Sequence, residues 1–311
     1  MHDVEKRSKR RRWRKNDSEL FVLSLPGVIY ILIMSYLPMV GVIVAFKYFN
    51  YRGGIFGSPW VGFQNFQFFF ESLTFWTLIR NTVLYNIGFI IAGTAVGVSL
   101  AVLLYLIRRS TKLVTTYQAI IFLPYFLSVI VVGDIVYALL SYNNGLITHL
   151  FSSLGLGHPD FYQMPSVWPY ILLFVNLWMG VGFSALLYFT GLIGIDPTYF
   201  EVADVEGATR WDKVRHIMLP LLAPVVSILL ILSIGGLFSA NFGLFYFVPQ
   251  NSSYLYPATD VINTYVFRAL IDLNEIGMPA AIGLLQSAIG LVLVVVANWI
   301  VRRINADNSL F

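Results

Sequence analysis

The chain has 311 residues, 58% hydrophobic and 12% charged, with a net charge of +4. A soluble domain typically carries about 25% charged residues; at a mean hydropathy of +0.74 there is too little polar surface to cover a soluble core, and the composition reads as an integral membrane protein. The chain contains no cysteine, which excludes disulfides and thiolate metal sites.

In chain order, a basic segment (1–19) precedes six apolar runs. Leu20–Phe46, Asn81–Ile107, Val167–Ile195, Ile217–Thr259 and Ile276–Val301 hold no Asp, Glu, Lys or Arg, and Leu113–Ser141 holds only Asp134. About 20 apolar residues span a bilayer as helix, and backbone facing lipid must satisfy its own hydrogen bonds. The expectation is an all-α integral membrane protein with six transmembrane helices over 20–301 and a tail at 302–311. The fifth span is placed at Pro224–Tyr246. The first run is 27 residues long, against roughly 7–15 for a signal-peptide core, so it reads as a retained helix.

Orientation follows from the basic residues. The first sixteen residues, the link after span 2 (Arg108, Arg109, Lys112), the link after span 4 (Arg210, Lys213, Arg215) and the tail (Arg302, Arg303) hold sixteen of the twenty Lys and Arg. The positive-inside rule puts both termini in the cytoplasm. The basic N-terminus reads as a topology anchor touching anionic lipid rather than a nucleic-acid site.

The link after span 4, "EVADVEGATRWDKVRHIMLPLLAP" from Glu201, is charged between two apolar stretches. Asp196-Pro197 suits a helix start, and Gly207 suits a sharp turn. Thr209 with Asp212 has the spacing of a capping box. Pro220 and Pro224 are taken as the entry to span 5. This predicts an amphipathic helix–turn–helix elbow over 196–220, which reads either as an ordinary interfacial connector or as a device that passes force to a cytoplasmic partner.

The order Glu201, Ala203, three residues, Gly207, nine residues, Ile217, one residue, Leu219-Pro220 resembles the EAA signature of binding-protein-dependent ABC importer permeases. Val202 stands where the signature has its middle Ala. The six-span layout, Asn81-Thr82 at the head of span 2 and the C-terminal third are similar to the maltose-type carbohydrate-uptake subgroup, especially its oligo- and polysaccharide permeases. The resemblance implies a bacterial cytoplasmic-membrane pore half paired with a second, usually different, permease. It implies two cytoplasmic ATPase subunits that hold ATP and Mg, and an extracytoplasmic solute-binding protein that delivers an oligo- or polysaccharide. It also implies that Glu201, Ala203, Gly207, Ile217, Leu219 and Pro220 couple this chain to the ATPase. Consistently, none of the six lysines lies in a G-x-x-x-x-G-K-[ST] loop, and no cofactor is expected on this chain.

For the cargo, Asn241 offers amide donors and an acceptor. Phe242, Phe245 and Tyr246 offer flat faces for sugar rings, although Tyr also collects at membrane interfaces. Asn86, Asn176 and Trp178 are lesser candidates. Asp134, the one carboxylate inside a run, reads either as a pathway residue or as a hydrated interfacial one. A secondary transporter or channel would want more intramembrane ionisable groups than this. A polytopic membrane enzyme would want clustered acidic or His residues, and the four histidines show no metal-ligand spacing.

Overall fold

A computed structural model describes residues 15–304. The first fourteen residues of the basic segment 1–19, and the tail beyond 304, lie outside the described residues. The described chain is helical apart from one isolated bridge between Lys47 and Trp60. Five helices are long and apolar enough to cross a membrane: α1 (Glu19–Phe46), α2 (Phe75–Leu106), α5 (Pro165–Ile193), α7 (Arg210–Gly235) and α10 (Gly277–Arg303). A bent pair, α3 (Thr111–Phe126) and α4 (Val129–Leu140), which meet at 94°, brings the number to six where the two are counted as one broken span. Between these lie the short helices α6 (Thr198–Val205), α8 (Phe242–Phe247) and α9 (Ile262–Asp272).

Two expectations about the spans are corrected. The third run is not one straight helix. Pro124 tightens Leu123–Phe126 into 3₁₀ geometry, Leu127 and Ser128 are extended, and the Ser128 hydroxyl accepts from the Ile130 N–H to start α4 afresh. The fifth span is Arg210–Gly235, not Pro224–Tyr246. Pro220 and Pro224 lie inside it. A proline lacks the N–H that the carbonyl four residues earlier needs, and α7 widens into a π-helical turn at Val214–Met218, just ahead of Pro220. Such a turn absorbs the misfit without ending the helix.

Packing places these elements. α2 and α5 run along each other as the main seam of the bundle. At the far end from the elbow, Tyr85, Trp168, Leu172, Val175, Leu244 and Phe245 form one buried cluster. At the elbow end, Tyr105, Tyr188, Leu192, Phe200, Met218 and Leu222 form a second. A third, including Phe69, Leu78, Ile262 and Ile282, joins α2, α9 and α10. Most of α1 is exposed, and only its last turns, with Val44 and Ala45 buried, pack against α10. Asn81 and Thr82 tie α2 to the link before α9. The Asn81 amide donates to the Asp260 carbonyl at 2.9 Å, and the Thr82 hydroxyl accepts from the Ile262 N–H at 3.0 Å.

α7 and α10 approach closely where Gly235 meets Gly290. A Cβ on Gly290 would sit 2.6 Å from the Gly235 carbonyl oxygen. Gly290→Leu is therefore expected to overpack this contact by about 1–3 kcal/mol and to lower the thermal midpoint of the detergent-solubilised protein, whereas the same substitution at Gly27, which has no neighbour within 4 Å, should leave it near the parent value.

Candidate functional site

Two places gather the polar residues that packing alone does not demand: the elbow and a cavity on the other side of the bundle's length. The elbow begins at Asp196, whose Oδ1 accepts from the Thr198 N–H at 2.9 Å and the Thr198 hydroxyl at 2.7 Å. These donors hold its carboxyl below the usual carboxylate range. α6 then ends in a Schellman arrangement. The Ala208 N–H donates to the Ala203 carbonyl at 2.9 Å, and Gly207 takes φ +73°, a left-handed conformation that strains any side chain-bearing residue. Thr209 and Asp212 form a reciprocal cap: the Thr209 N–H donates to Asp212 Oδ2 at 2.9 Å, and the Asp212 N–H donates to Thr209 Oγ1 at 3.2 Å. Lys213 pairs with Asp204 across the turn.

One face of the elbow is anchored. Phe200 is buried against Tyr105, ring centroids 5.4 Å apart, and the Arg108 guanidinium lies 3.8 Å from the Tyr105 centroid. The other face is open, with Tyr199, Val202, Val205 and Trp211 exposed beside the exposed Glu201 and Glu206. Ala203 is half-buried. Ile217, Leu219 and Pro220 belong to α7 itself rather than to the turn.

The cavity has a volume of about 680 Å³. Asn86 and Thr94 of α2, Asn176 and Ser184 of α5, Ser233 of α7, and Ser239 and Asn241 of the segment after α7 all line it. That segment, 236–241, is a break between α7 and α8. The Asn86 amide donates to the Leu237 carbonyl at 2.9 Å. The Ala240 N–H donates to Asn263 Oδ1 at 3.0 Å, and Gln286 Nε2 donates to both the Phe238 carbonyl and Asn263 Oδ1. Asn241 caps α8 by accepting from the Leu244 N–H at 3.2 Å. Among the described residues, no Asp, Glu, Lys or Arg lines the cavity. Its amides and hydroxyls are suited to hydrogen-bonding a neutral, hydroxyl-rich group.

Of the residues singled out for cargo, the structure therefore brings Asn86, Asn176 and Asn241 together and leaves the rest outside. Phe245 is 2% exposed, with its ring centroid 4.8 Å from that of Tyr85 and 6.1 Å from that of Phe89, so it is core. Phe242 and Tyr246 stack on each other at 5.0 Å and pack on Phe267, off the cavity wall. Trp178 is 37% exposed on α5 but does not line the cavity, and Asp134 is exposed on α4, also outside it. Sequence reasoning missed Asn263 and Gln286. Gln286 was discoverable as an amide within an uncharged run. Asn263 sits in a link of mixed composition and carries no such signal. Among the described residues no group of His, Asp or Glu is arranged to hold a metal.

Comparison with known proteins places this geometry. The family model described as "Binding-protein-dependent transport system inner membrane component" matches residues 93–306. Protein LplB of Bacillus subtilis (strain 168) is 30% identical, over 94% of this chain and 91% of that protein. The polygalacturonan/rhamnogalacturonan transport system permease protein YteP of the same organism is 32% identical, over 93% and 89%. A chain in the crystal structure of a bacterial ABC transporter involved in the import of the acidic polysaccharide alginate superimposes with a TM-score of 0.84 at 30% identity, covering 94% of this chain and 97% of that one.

The left-handed Gly207 generates an expected outcome that needs no partner. Gly207→Val should lower the thermal midpoint of the purified chain through about 1–2 kcal/mol of backbone strain, and Gly207→Asn, which tolerates that conformation, should recover most of the loss.

Proposed function

The chain belongs to the family of binding-protein-dependent transport system inner membrane components, and from that membership we propose that it forms half of the translocation path for an oligo- or polysaccharide in an ATP-driven importer. One observation carries the reading: the likeness to a permease-bearing alginate importer extends over 94% of the chain at a TM-score of 0.84. A related crystal structure contains that transporter in complex with an alginate pentasaccharide-bound periplasmic protein. The chain works with a second permease, two ATPase subunits that bind ATP and Mg, and an extracytoplasmic binding protein. It is itself non-catalytic.

The elbow's open face supports a docking role. Exposed Tyr199, Val202, Val205 and Trp211 offer apolar area to an ATPase groove, Glu201 offers a charge beside it, and the Ala203–Gly207 turn keeps the two elbow helices close. The distribution of Lys and Arg supports a cytoplasmic elbow and cytoplasmic termini in the bacterial plasma membrane. The cavity beyond the elbow then serves the cargo. Net hydrogen bonds of about 0.5–1.5 kcal/mol each from Asn176, Asn241 and the serine hydroxyls hold a sugar weakly, which suits a carrier that must release it.

Reconstitution with its partners tests this. ATP hydrolysis should rise several-fold with a binding protein carrying an alginate or polygalacturonan oligosaccharide and not with the empty binding protein. Ala203→Asp should abolish that stimulation while the four chains still assemble. Asn176→Ala or Asn241→Ala should weaken uptake by roughly 2- to 12-fold per lost bond. No stimulation by any loaded binding protein would remove the importer reading. Because the chain has no cysteine of its own, its orientation is read by single substitutions. An impermeant thiol reagent added outside should label Ser153→Cys and spare Ser8→Cys and Asn308→Cys, and the reverse pattern would invert the topology.

A further inference from the structure

The segment 236–241 is both the wall of the cavity and a stretch where α7 has run out of helical hydrogen bonds. Gly236, Ser239, Ala240 and Asn241 line the cavity. Local turns satisfy part of the segment: the Ser239 N–H donates to the Gly236 carbonyl at 2.8 Å. Three further backbone groups are met by amide side chains, each from a different helix. Asn86 of α2 donates to the Leu237 carbonyl, Gln286 of α10 donates to the Phe238 carbonyl, and Asn263 of α9 accepts from the Ala240 N–H. Gln286 also donates to Asn263 Oδ1 at 3.2 Å, which joins two of the three. The orientation of these amides is forced. A backbone carbonyl only accepts and a backbone N–H only donates, so the nitrogens of Asn86 and Gln286, and the oxygen of Asn263, must face the segment.

We propose that Asn86, Asn263 and Gln286 form a clasp that positions segment 236–241 as a preformed cavity wall, so that Asn263 and Gln286, which do not line the cavity, act with Asn86, which does, to set its affinity for the cargo. This rests on the cavity being the cargo path. The chemistry makes a sharp distinction. Asn86→Asp and Gln286→Glu keep size and shape but replace a donor with an acceptor that faces a carbonyl. Asn263→Asp adds the same charge yet keeps the oxygen that both of its donors need. Asn263→Leu removes it.

The reporter is Ser239→Cys in the assembled complex with cysteine-free partners, followed by its rate of reaction with a water-soluble maleimide in the absence of sugar. Asn86→Asp, Gln286→Glu and Asn263→Leu should each change that rate several-fold, and Asn263→Asp should restore it to the parent value. In transport, the same three variants should raise the half-saturating concentration of an alginate oligosaccharide roughly 2- to 12-fold with the maximal rate retained. Equal labelling in all variants would overturn the clasp. So would an Asn263→Asp variant that behaves like the other two acids, since inserted charge rather than a lost donor would then be the cause. Having two donor variants on separate helices keeps the test open if one fails to assemble. A parent complex that carries no glycan would strike the cargo reading alone, because the labelling contrast needs no sugar.

Discussion

A backbone N–H or C=O left unpaired in hydrocarbon costs several kcal/mol, and three departures from regular helix in this chain show how it meets that constraint. At Pro220 the misfit is spread over a widened turn, Val214–Met218. At 127–128 the Leu127 N–H returns to the Pro124 carbonyl and Ser128 caps the helix that follows. At 236–241 the missing partners come from side-chain amides of α2, α9 and α10. Each solution fixes something else. The first lets one helix run on from the elbow, the second turns α4 through 94°, and the third sets where α8 lies and where the cavity opens. Broken helices at membrane depth are tolerated where protein or a water-filled cavity covers the break, and the break at 236–241 lies against α2, α9 and α10 and lines the cavity.

α7 links the elbow to the cavity wall. It begins at the Thr209 cap and ends at Gly235, one residue before the break. Its 26 residues at about 1.5 Å each make a rod on the order of 39 Å long. The elbow end is gripped by Phe200, Val214, Met218 and Leu222 in one buried cluster, and the far end is held against α10 at the Gly235–Gly290 contact. Under the proposed docking role, an ATPase that moves α6 acts on a body which reaches the cavity wall without an intervening loop. A continuous helix transmits displacement better than a hinged one, and it is the absorption of Pro220 and Pro224 that keeps this helix continuous.

What was legible in the sequence was local. The elbow reads from spacing alone, because a capping box, a left-handed glycine and a helix start are each decided within four or five residues: Thr209 with Asp212, Gly207, Asp196 with Pro197. The apolar runs are legible for the same reason, since length and lack of charge need no partner. The bends were not. Pro124 and Pro220 look alike in the sequence, yet one ends a helix and the other does not. The difference lies in whether a π-turn can take up the freed carbonyl, which no composition states. The placement of the aromatic residues around Asn241 was not legible for a related reason. Phe242, Phe245 and Tyr246 have the right chemistry for sugar faces, but the side of α8 each occupies is set by Tyr85, Phe89 and Phe267, which come from α2 and α9. Asn263 and Gln286 lie 23 residues apart and acquire meaning only once both reach the same break.

The charge distribution bears on what this half of a path contributes. Among the described residues the cavity is lined without Asp, Glu, Lys or Arg. Outside its lining, Arg268 is paired with Asp260 at 2.5 Å and lies 4.2 Å from the Tyr256 ring centroid, so its charge is already met. Arg80 is exposed, and it is tied to the Pro257 carbonyl and to Asn81. An ion taken from water into a site of low dielectric loses solvation that only a countercharge or several donors can restore. A wall of amides and hydroxyls restores part of it through short contacts and adds no long-range attraction. Under the proposed cargo role, this chain's surface would be a weak, non-trapping guide for a carboxylated sugar, and strong recognition of the charge would fall to the proposed partners. Under the same role a neutral sugar would need nothing beyond this wall, since a carrier that must let go is better built without countercharge.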